Sequence, residues 1–350
     1  MKRLWKWTKR IALCLILLMA ALLAPVAYVE TACRQATAPQ RYVSILPAKD
    51  HRPVTRTFMT YPEWHIVHAY EDYAEVIRNG DPHQFGYLSS ILGFWSSLCT
   101  LSETSSAYGE IDGPTKQMIH VIGISFSAEL ALKALYEETI GRLFAGLRGA
   151  GHTPTDKLSS EHASNYAEFL QQVPWYKWRF REDAEELDTV NSDSLRDRER
   201  RFALGLEYKA KAAYADIIAQ AVASAGADQL TLRMIVAGNN RTKLESYDNV
   251  EIIETIDEGV IIETPRYRAL TKILQIMSND GLNFVEIAGN NDILFTVISE
   301  SAVLGRSVAS MQRQGFNDYR HLMVVKVTEL AEQLRQLKQS GITLEHIHDY

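Results

Sequence analysis

The stretch GVIIETPRYRALTKILQIMSN, residues 259–279, sets the fold class of this chain. Its first part, Gly259 to Thr264, is rich in β-branched residues and typical of a strand. Its second part, Tyr267 to Asn279, has apolar residues at helical spacing and is followed by a helix-stopping glycine, Gly281. A strand that leads directly into a helix indicates a mixed α and β architecture.

The same alternation continues through residues 229–350, which are predicted to form one domain. A second helix is expected from Thr328 to Gln339. Further strands are expected at Leu230–Ala237, Val250–Thr255, Phe284–Ala288, Ile293–Ile298, Leu322–Val327 and Ile342–Ile347. From Gly259 onward this order predicts an α+β domain of ferredoxin-like type, with two helices on one face of a mainly antiparallel sheet.

Residues 58–225 are predicted to form a mainly helical domain. The run Thr60 to Glu63 is a capping box, in which the Thr hydroxyl and the Glu carboxylate satisfy free backbone amides at the start of a helix. A helix is therefore expected to begin at Tyr61 and to run to about Arg78.

Two apolar helices are expected next, at 85–101 and 118–142. They have two alternative interpretations, as membrane-inserted helices or as part of a bundle that is soluble or lies along the membrane surface. The second is favoured because His120, Glu129 and Lys133 are costly in lipid unless paired. Glu129 and Lys133 are four residues apart and are expected to pair with each other.

The end of this region combines aromatic and charged residues. Residues 174–181 interleave four aromatic residues with three cations, which suits either the headgroup layer of a membrane or the edge of a core. The charged stretch that ends at Arg201 is interpreted as a solvent-facing surface. A long helix over 195–225 carries an apolar stripe formed by Phe202, Leu206, Ala210, Ala213 and Ile217.

Residues 1–34 are predicted to be a basic cytoplasmic tip and a transmembrane anchor. Five basic residues precede Ile11 to Val29, which contains no charge. Nineteen residues match the roughly 20 that span a bilayer, whereas the apolar part of a cleaved signal peptide usually has about 7–15. The positive-inside rule then predicts a single-pass protein of the inner membrane with a cytoplasmic amino terminus and a periplasmic bulk. A cleaved signal peptide is the alternative.

Residues 35–57 are predicted to be an extended tether, and the exported part as a whole is acidic. Without residues 1–34 the chain has 31 basic and 42 acidic residues, a net charge of −11. Nucleic acid is therefore not expected as a partner, since its binding needs clustered Lys and Arg. Cys33 and Cys99 are the two exported cysteines, and a disulfide and two buried thiols are equally compatible with the sequence.

Candidate metal ligands occur at both ends of the exported part. His65, His68 and Asp72 lie on one side of the first predicted helix, and His346 and His348 lie on one side of the last strand. Imidazole and carboxylate groups are ligands of divalent metal ions. If the strand packs near the helix, the two groups predict one joint site for such a cofactor.

Two functions follow from these patterns. The first is a membrane-anchored envelope protein whose exported part is a scaffold or binding module, with the lipid bilayer and an envelope protein as partners. The alternative is a membrane-associated metal-dependent enzyme that uses the His/Asp site, where the metal activates water.

Overall fold

The computed structural model describes residues 2–33, 42–192, 194–225 and 230–350 as a helical half followed by a sheet half. The helical half contains α1 (Lys2–Ala32), α2 (Thr55–Asn79), α3 (Tyr87–Ser106), α4 (Gly113–Tyr136), α5 (Arg142–Arg148), α6 (Pro154–Leu170), α7 (Phe180–Thr189) and α8 (Leu195–Ala225). A π-helical turn, Glu137–Gly141, joins α4 to α5. The sheet half contains α9 (Arg241–Leu244), α10 (Tyr267–Asn279) and α11 (Val327–Gln339). The expected mixture of a helical half and a C-terminal α+β half is thus confirmed.

The eight described strands form two antiparallel sheets of four strands each. They are β1 (Thr231–Ala237), β2 (Glu251–Ile256), β3 (Gly259–Pro265), β4 (Phe284–Ile287), β5 (Asp292–Ser299), β6 (Ser307–Gln312), β7 (Tyr319–Lys326) and β8 (Thr343–His348). The orders β2-β3-β1-β4 and β6-β7-β5-β8 are the same, so a unit of three strands, a helix and a strand occurs twice. The single ferredoxin-like sheet is therefore not confirmed.

One apolar core joins the two sheets through their helices. Helix α10 packs on α11, α11 packs on β4 of the first sheet, and α10 packs on β8 of the second. The core includes Met234 from β1, Leu274 from α10, Phe295 from β5 and Leu330 from α11, all fully buried. Each unit therefore buries its apolar surface against the other unit, and the sheet half has one shared core.

The second sheet also contacts the helical half through its other face. Leu294 of β5 and Leu322 of β7 belong to the same core as Phe58 and Tyr61 of α2. The Thr57 hydroxyl donates to the His348 carbonyl oxygen at 2.6 Å and accepts from the Leu294 amide at 3.0 Å. This bonding fixes α2 against the end of β8.

Helix α2 begins earlier than its capping box predicts, at Thr55 rather than at Tyr61. The Thr60 hydroxyl donates to the Thr57 carbonyl within the helix instead of capping it. Because Phe58 and Tyr61 are fully buried against the sheet, packing extends the helix before the local signal for its start. The earlier start of the helix does not change the spacing of the histidines along α2.

The end of α1 is attached to the helical half. Val29 and Cys33 are buried in the core that contains α3 and α4, and the sulfur atoms of Cys33 and Cys99 form a disulfide at 2.00 Å. The His120 ring of α4 lies 3.6 Å from the Glu30 carboxylate. Trp5–Ala32 is long and apolar enough to cross a membrane, and Gly113–Arg148 passes the same test of length and composition.

The described part of the predicted tether lies on the first sheet; its residues 35–41 fall outside the described ranges. Residues 42–54, termed the strap, are held by Glu286 of β4, which is fully buried. Its carboxylate accepts from the Tyr42 and Ser44 hydroxyls at 2.8 Å and from the Ile45 and Leu46 amides at 2.7 and 2.9 Å. These four bonds compensate the burial of the charge.

Candidate functional site

Helix α2 and strand β8 bring most of the predicted metal ligands together. Trp64 of α2 lies between His68, His346 and His348, with ring centroids 5.8, 3.6 and 6.2 Å away. The rings of His346 and His348 lie 4.9 Å apart. The condition for a joint site, that the last strand packs beside the first long helix, is therefore met.

His65 lies outside this cluster. Its Nε2 donates to the Ser90 carbonyl oxygen of α3 at 2.9 Å, and its ring packs edge-on against Phe94 and Phe126. Burial lowers the pKa of His65 to about 4, so the ring is neutral. Its hydrogen bond and aromatic surroundings make His65 a packing residue between α2 and α3.

Glu71 and Glu345 contribute to the cluster instead. The His68 Nδ1 lies 3.6 Å from Glu71 Oε2, and its Nε2 lies 3.5 Å from Glu345 Oε2. One nitrogen of His68 and one oxygen from each carboxylate lie within 4.8 Å of one another. We call these three residues the His68 triad.

Two guanidinium groups contact the carboxylates of the triad. Arg320 of β7 donates to both oxygens of Glu345 at 2.6 and 2.7 Å. Arg313 donates to Glu71 at 3.1 Å and to Asp318 at 3.0 Å. Burial raises the pKa of Glu345, but Arg320 outweighs that effect and lowers it to about 2. Burial also raises the pKa of Glu71, but His68 and the two guanidinium groups outweigh that effect and lower it, so both glutamates are ionised at neutral pH.

Asp72 lies beside the triad, one residue after Glu71. Its Oδ2 accepts from the Gln314 amide at 2.9 Å, whereas its Oδ1 is buried with no hydrogen-bond partner among the described residues. Burial raises the pKa of Asp72 to about 7 against the opposing charge of Arg320. Asp72 is therefore a carboxyl group that is partly protonated at neutral pH, beside the two guanidinium groups.

The three histidines of the cluster are neutral and poorly hydrogen-bonded. Burial lowers the pKa of His346 to about 3, and it lowers the pKa values of His68 and His348 as well. Both ring nitrogens of His68 and of His348, and Nε2 of His346, have no partner in the part of the chain that the structure describes. A buried polar atom without a partner costs about 1–3 kcal/mol, so five in one cluster call for an explanation.

Sequence reasoning missed Glu71, Arg313, Arg320 and Glu345. Glu71 lies three residues after His68, a helical neighbour spacing that could have identified it. Arg320 and Glu345 lie on two different strands that both flank β5, and no local pattern predicts that they meet. The acidic and basic character of the cluster thus depends on tertiary packing.

A second feature of the molecule is the charged seam between α4 and α8. Lys211 lies 2.7 Å from Glu129, Lys133 lies 3.1 Å from Glu207, and the guanidinium of Arg200 lies 2.9 Å from the carboxylate of Glu137 just beyond α4. Glu129 and Lys133, which were expected to pair with each other, pair across to α8 instead. The residues descend along one helix as they ascend along the other, so α4 and α8 are antiparallel.

The charged stretch before Arg201 is only partly a solvent-facing surface, because some of its charged side chains are exposed and others are buried. Arg196 is 2% exposed and Arg200 is fully buried. Arg196 donates to Asp156 and to Glu199, both at 2.9 Å. For these buried residues the interpretation from sequence was wrong, because their side chains pair with carboxylates on α8 itself and on a neighbouring helix.

The outward surfaces of α4, α5 and α8 are apolar. Leu132 is 69% exposed and Leu143 60%, while Phe202 of α8 is 70% exposed and Leu206 62%. Other exposed apolar residues on these helices are Met118, Val121, Leu135, Leu147 and Ile217. At about 100° per residue, the antiparallel pairing places both stripes on the same side of the charged seam. We call this combined surface the apolar face.

Residues 174–181 pack against α8. Trp175 packs against Tyr214 of α8 at 5.2 Å between ring centroids, and Trp178 donates through its indole nitrogen to Asp183 at 2.6 Å. A cleft of about 210 Å³ lies between this segment and α8. A smaller cavity of about 30 Å³ lies among α2, α4, α6, α7 and α8. Neither is lined by the His68 triad.

No protein-family model, no curated protein and no solved structure matches this chain. The cluster around His68 and the apolar face are therefore the two features of the chain that bear on its function.

Proposed function

We propose that this chain is a single-pass protein of the inner membrane, with a cytoplasmic amino terminus and a periplasmic part that acts as a scaffold or binding module. The helical half rests on the outer leaflet through the apolar face. The sheet half projects away from the lipid and docks an envelope protein. The bilayer and that protein are the partners, and nucleic acid is not.

The observation that carries this proposal is the inverted polarity of the helical half. The seam between α4 and α8 buries lysine, glutamate and arginine, while leucine and phenylalanine face outward. A contiguous exposed apolar surface is characteristic of a contact with another molecule or a membrane. Ionisable groups that face the interior and pair there are the arrangement expected of helices in contact with lipid.

The position of the anchor favours lipid as the occupant of this surface. The disulfide of Cys33 attaches the end of α1 directly to α3, and Val29 packs in the same core. The helical half therefore stays within a few residues of the membrane surface once α1 spans the bilayer. Exposed Arg142 and Lys209 border the apolar residues, and such long cationic side chains reach headgroups.

The sheet half is suited to a protein partner. Strand β2 is an edge of the first sheet and is largely exposed, with Glu251 and Glu254 pointing to solvent. Charges on an edge strand discourage uncontrolled strand pairing. A partner with a complementary basic strand or loop would be selected at this edge.

The alternative function, a metal-dependent enzyme, requires substrate access to the predicted ligands. His68, His346 and His348 are at most 3% exposed. A catalytic metal keeps an open coordination position for water or substrate, which burial on all sides opposes. The geometry therefore favours the binding module.

The test uses the full chain in lipid vesicles, with Cys14→Ala to remove the free cysteine in α1. Spin labels are attached at Leu143→Cys and Leu206→Cys, and their collision rates with oxygen and with a water-soluble nickel complex are measured. Oxygen concentrates in lipid, so both sites are expected to be accessible to oxygen and protected from nickel.

The matched control is Glu168→Cys, on the exposed surface of α6. It is expected to be accessible to nickel in the same vesicles. Nickel accessibility at all three positions would refute contact between the apolar face and the bilayer. Mass measurement of the membrane-extracted protein separately distinguishes a retained anchor from a cleaved signal peptide.

A further inference from the structure

We infer that the His68 triad binds one divalent transition-metal ion of the zinc type, which fastens the helical half to the sheet half. The ligands are an imidazole nitrogen of His68 and one carboxylate oxygen each from Glu71 and Glu345. The site is structural, and it does not depend on the membrane role proposed above.

Distances within the triad support this inference. The separations of 3.5 and 3.6 Å between His68 and the two carboxylates exceed those of hydrogen bonds between such groups. Zinc binds nitrogen and oxygen ligands at about 2.0–2.2 Å, and tetrahedral geometry then separates two ligand atoms by about 3.4 Å. These two distances start from different ring nitrogens, and one ion binds only one of them. The 3.5 Å between Nε2 and Glu345 is close to the spacing of two metal ligands, and one nitrogen of His68 and one oxygen from each carboxylate all lie within 4.8 Å of one another.

The charge of the surroundings also favours a cation. The network contains four carboxylates, from Glu71, Asp72, Asp318 and Glu345, and two guanidinium groups, from Arg313 and Arg320. Even without Asp72, whose burial opposes its negative charge, the other three carboxylates outnumber the two guanidinium groups. A divalent ion would offset that excess, and the bonds from Arg320 and Arg313 would orient the carboxylates as outer-shell partners.

The lack of a partner on the His68 ring leaves one of its nitrogens free to bind the ion. The side chain is buried and its two ring nitrogens, which face the two glutamates, have no hydrogen-bond partner among described residues. Imidazole with carboxylates suits zinc and related transition metals better than magnesium, which prefers oxygen and water ligands.

Other His–carboxylate groups lack this property. His162 lies close to Asp183 and Glu186, but its Nε2 bonds to Glu186 at 2.9 Å and its Nδ1 to the Tyr208 hydroxyl at 3.3 Å. Its imidazole is already satisfied by protein groups. The triad differs because the imidazole of His68 has no hydrogen-bond partner among the described residues.

The site would connect elements that are far apart in sequence. His68 and Glu71 belong to α2, whereas Glu345 belongs to β8. Binding of the ion to the folded protein alone would raise the melting temperature. The metal would thus add to the bonds of Thr57 that already join α2 to β8.

The experiment measures zinc binding to the full chain in detergent, after removal of metal by a chelator and of any affinity tag. Calorimetric titration with Zn²⁺ alone is expected to give one ion per chain and an increased melting temperature. Titration with Mg²⁺ is expected to give neither. Glu71→Gln is expected to weaken zinc binding at least tenfold.

The matched control is Glu75→Gln, one turn further along the same helix, where the carboxylate pairs with Arg78. It is expected to bind zinc as the parent protein does. Glu345→Gln is a second test, but it also removes the partner of Arg320. If Glu345→Gln does not fold, the result for Glu71→Gln decides. Absence of stoichiometric zinc binding by the folded parent, or unchanged binding by Glu71→Gln, would overturn the inference.

Discussion

The two halves of this protein bury opposite kinds of side chain. The core of the sheet half is made of residues such as Leu274 and Phe295, which are fully buried and apolar. The helical half also has apolar cores, but between α4 and α8 it buries Arg200, Glu137 and Lys133, while Leu143 faces outward. The sheet half thus buries apolar side chains, whereas one side of the helical half buries charged side chains and exposes apolar ones.

This difference shows that amphipathicity alone does not tell which face of a helix is buried. The apolar stripe of α8 is regular in sequence, yet Phe202 and Leu206 are among the most exposed apolar residues of the described chain. What decides the orientation is the set of charged partners on α4. A buried pair is retained because losing one member leaves an uncompensated charge.

The largest test of the comparison truncates one apolar residue in each half. Phe295→Ala is expected to lower the free energy of unfolding by about 3–5 kcal/mol, because it leaves a cavity in the sheet core. Leu143→Ala is expected to change it by less than about 0.5 kcal/mol, because that side chain is exposed. Urea denaturation in detergent measures both, and a large loss for Leu143→Ala would contradict the assigned outward face.

The seam is tested by removing a buried charge. Arg200→Met is expected to cost about 3–5 kcal/mol, since Glu137 and Glu199 lose their guanidinium partner inside the protein. The control is Arg142→Met, whose pair with Glu138 is exposed and is expected to contribute at most about 0.5 kcal/mol. Equal thermal destabilisation of the two variants would show that the seam is hydrated.

The attachment of α1 is tested through its disulfide. The bond joins residues 66 positions apart, and Cys99→Ser is expected to reduce stability by about 2–4 kcal/mol. Adding reductant to the parent should lower the melting temperature and should leave the melting temperature of the variant unchanged. If reductant lowers the melting temperatures of the parent and the variant equally, an effect other than the loss of this disulfide is responsible.

The smallest test uses pH. Burial raises the pKa of Glu207, but the charges of Lys133 and Lys211 outweigh it and lower the pKa to about 2. In the unfolded chain the carboxylate takes up its proton at about pH 4.3, so the stabilisation is complete above that pH and is lost as pH falls towards 2. Between these two pH values the unfolded chain binds about one more proton at this position than the folded protein does. Glu207→Gln should remove that contribution from the slope of the unfolding free energy against pH. A control, Glu254→Gln on the exposed β2 edge, should leave the slope unchanged.

Sequence reasoning identified the parts of the candidate site but not their arrangement. Helical and strand periodicity placed His68 on α2 and His346 and His348 on β8, because those signals are local. That the two elements touch depends on packing between residues about 280 positions apart, which no periodicity reports. His65 was grouped with His68 by spacing alone, whereas α3 determines its actual environment.

In the fold, too, the sequence predicted local elements but not how they are arranged. The strand and helix at 259–279 were found as β3 and α10, since burial pattern and propensity agree there. Strand β6 was missed, because Ser-Val-Ala-Ser-Met-Gln at a sheet edge has little apolar alternation. Without β6 the eight strands could not be divided into two equal sheets.

The strap gives the protein an order of assembly. Tyr42 and Ser44 are separated from Glu286 by 244 and 242 residues, so their partner does not exist when they leave the ribosome. At about 5–20 residues per second, the delay is roughly 12–50 s. During that interval Tyr42 and Ser44 lack their carboxylate partner, so the strap binds the first sheet only after β4 has been synthesised.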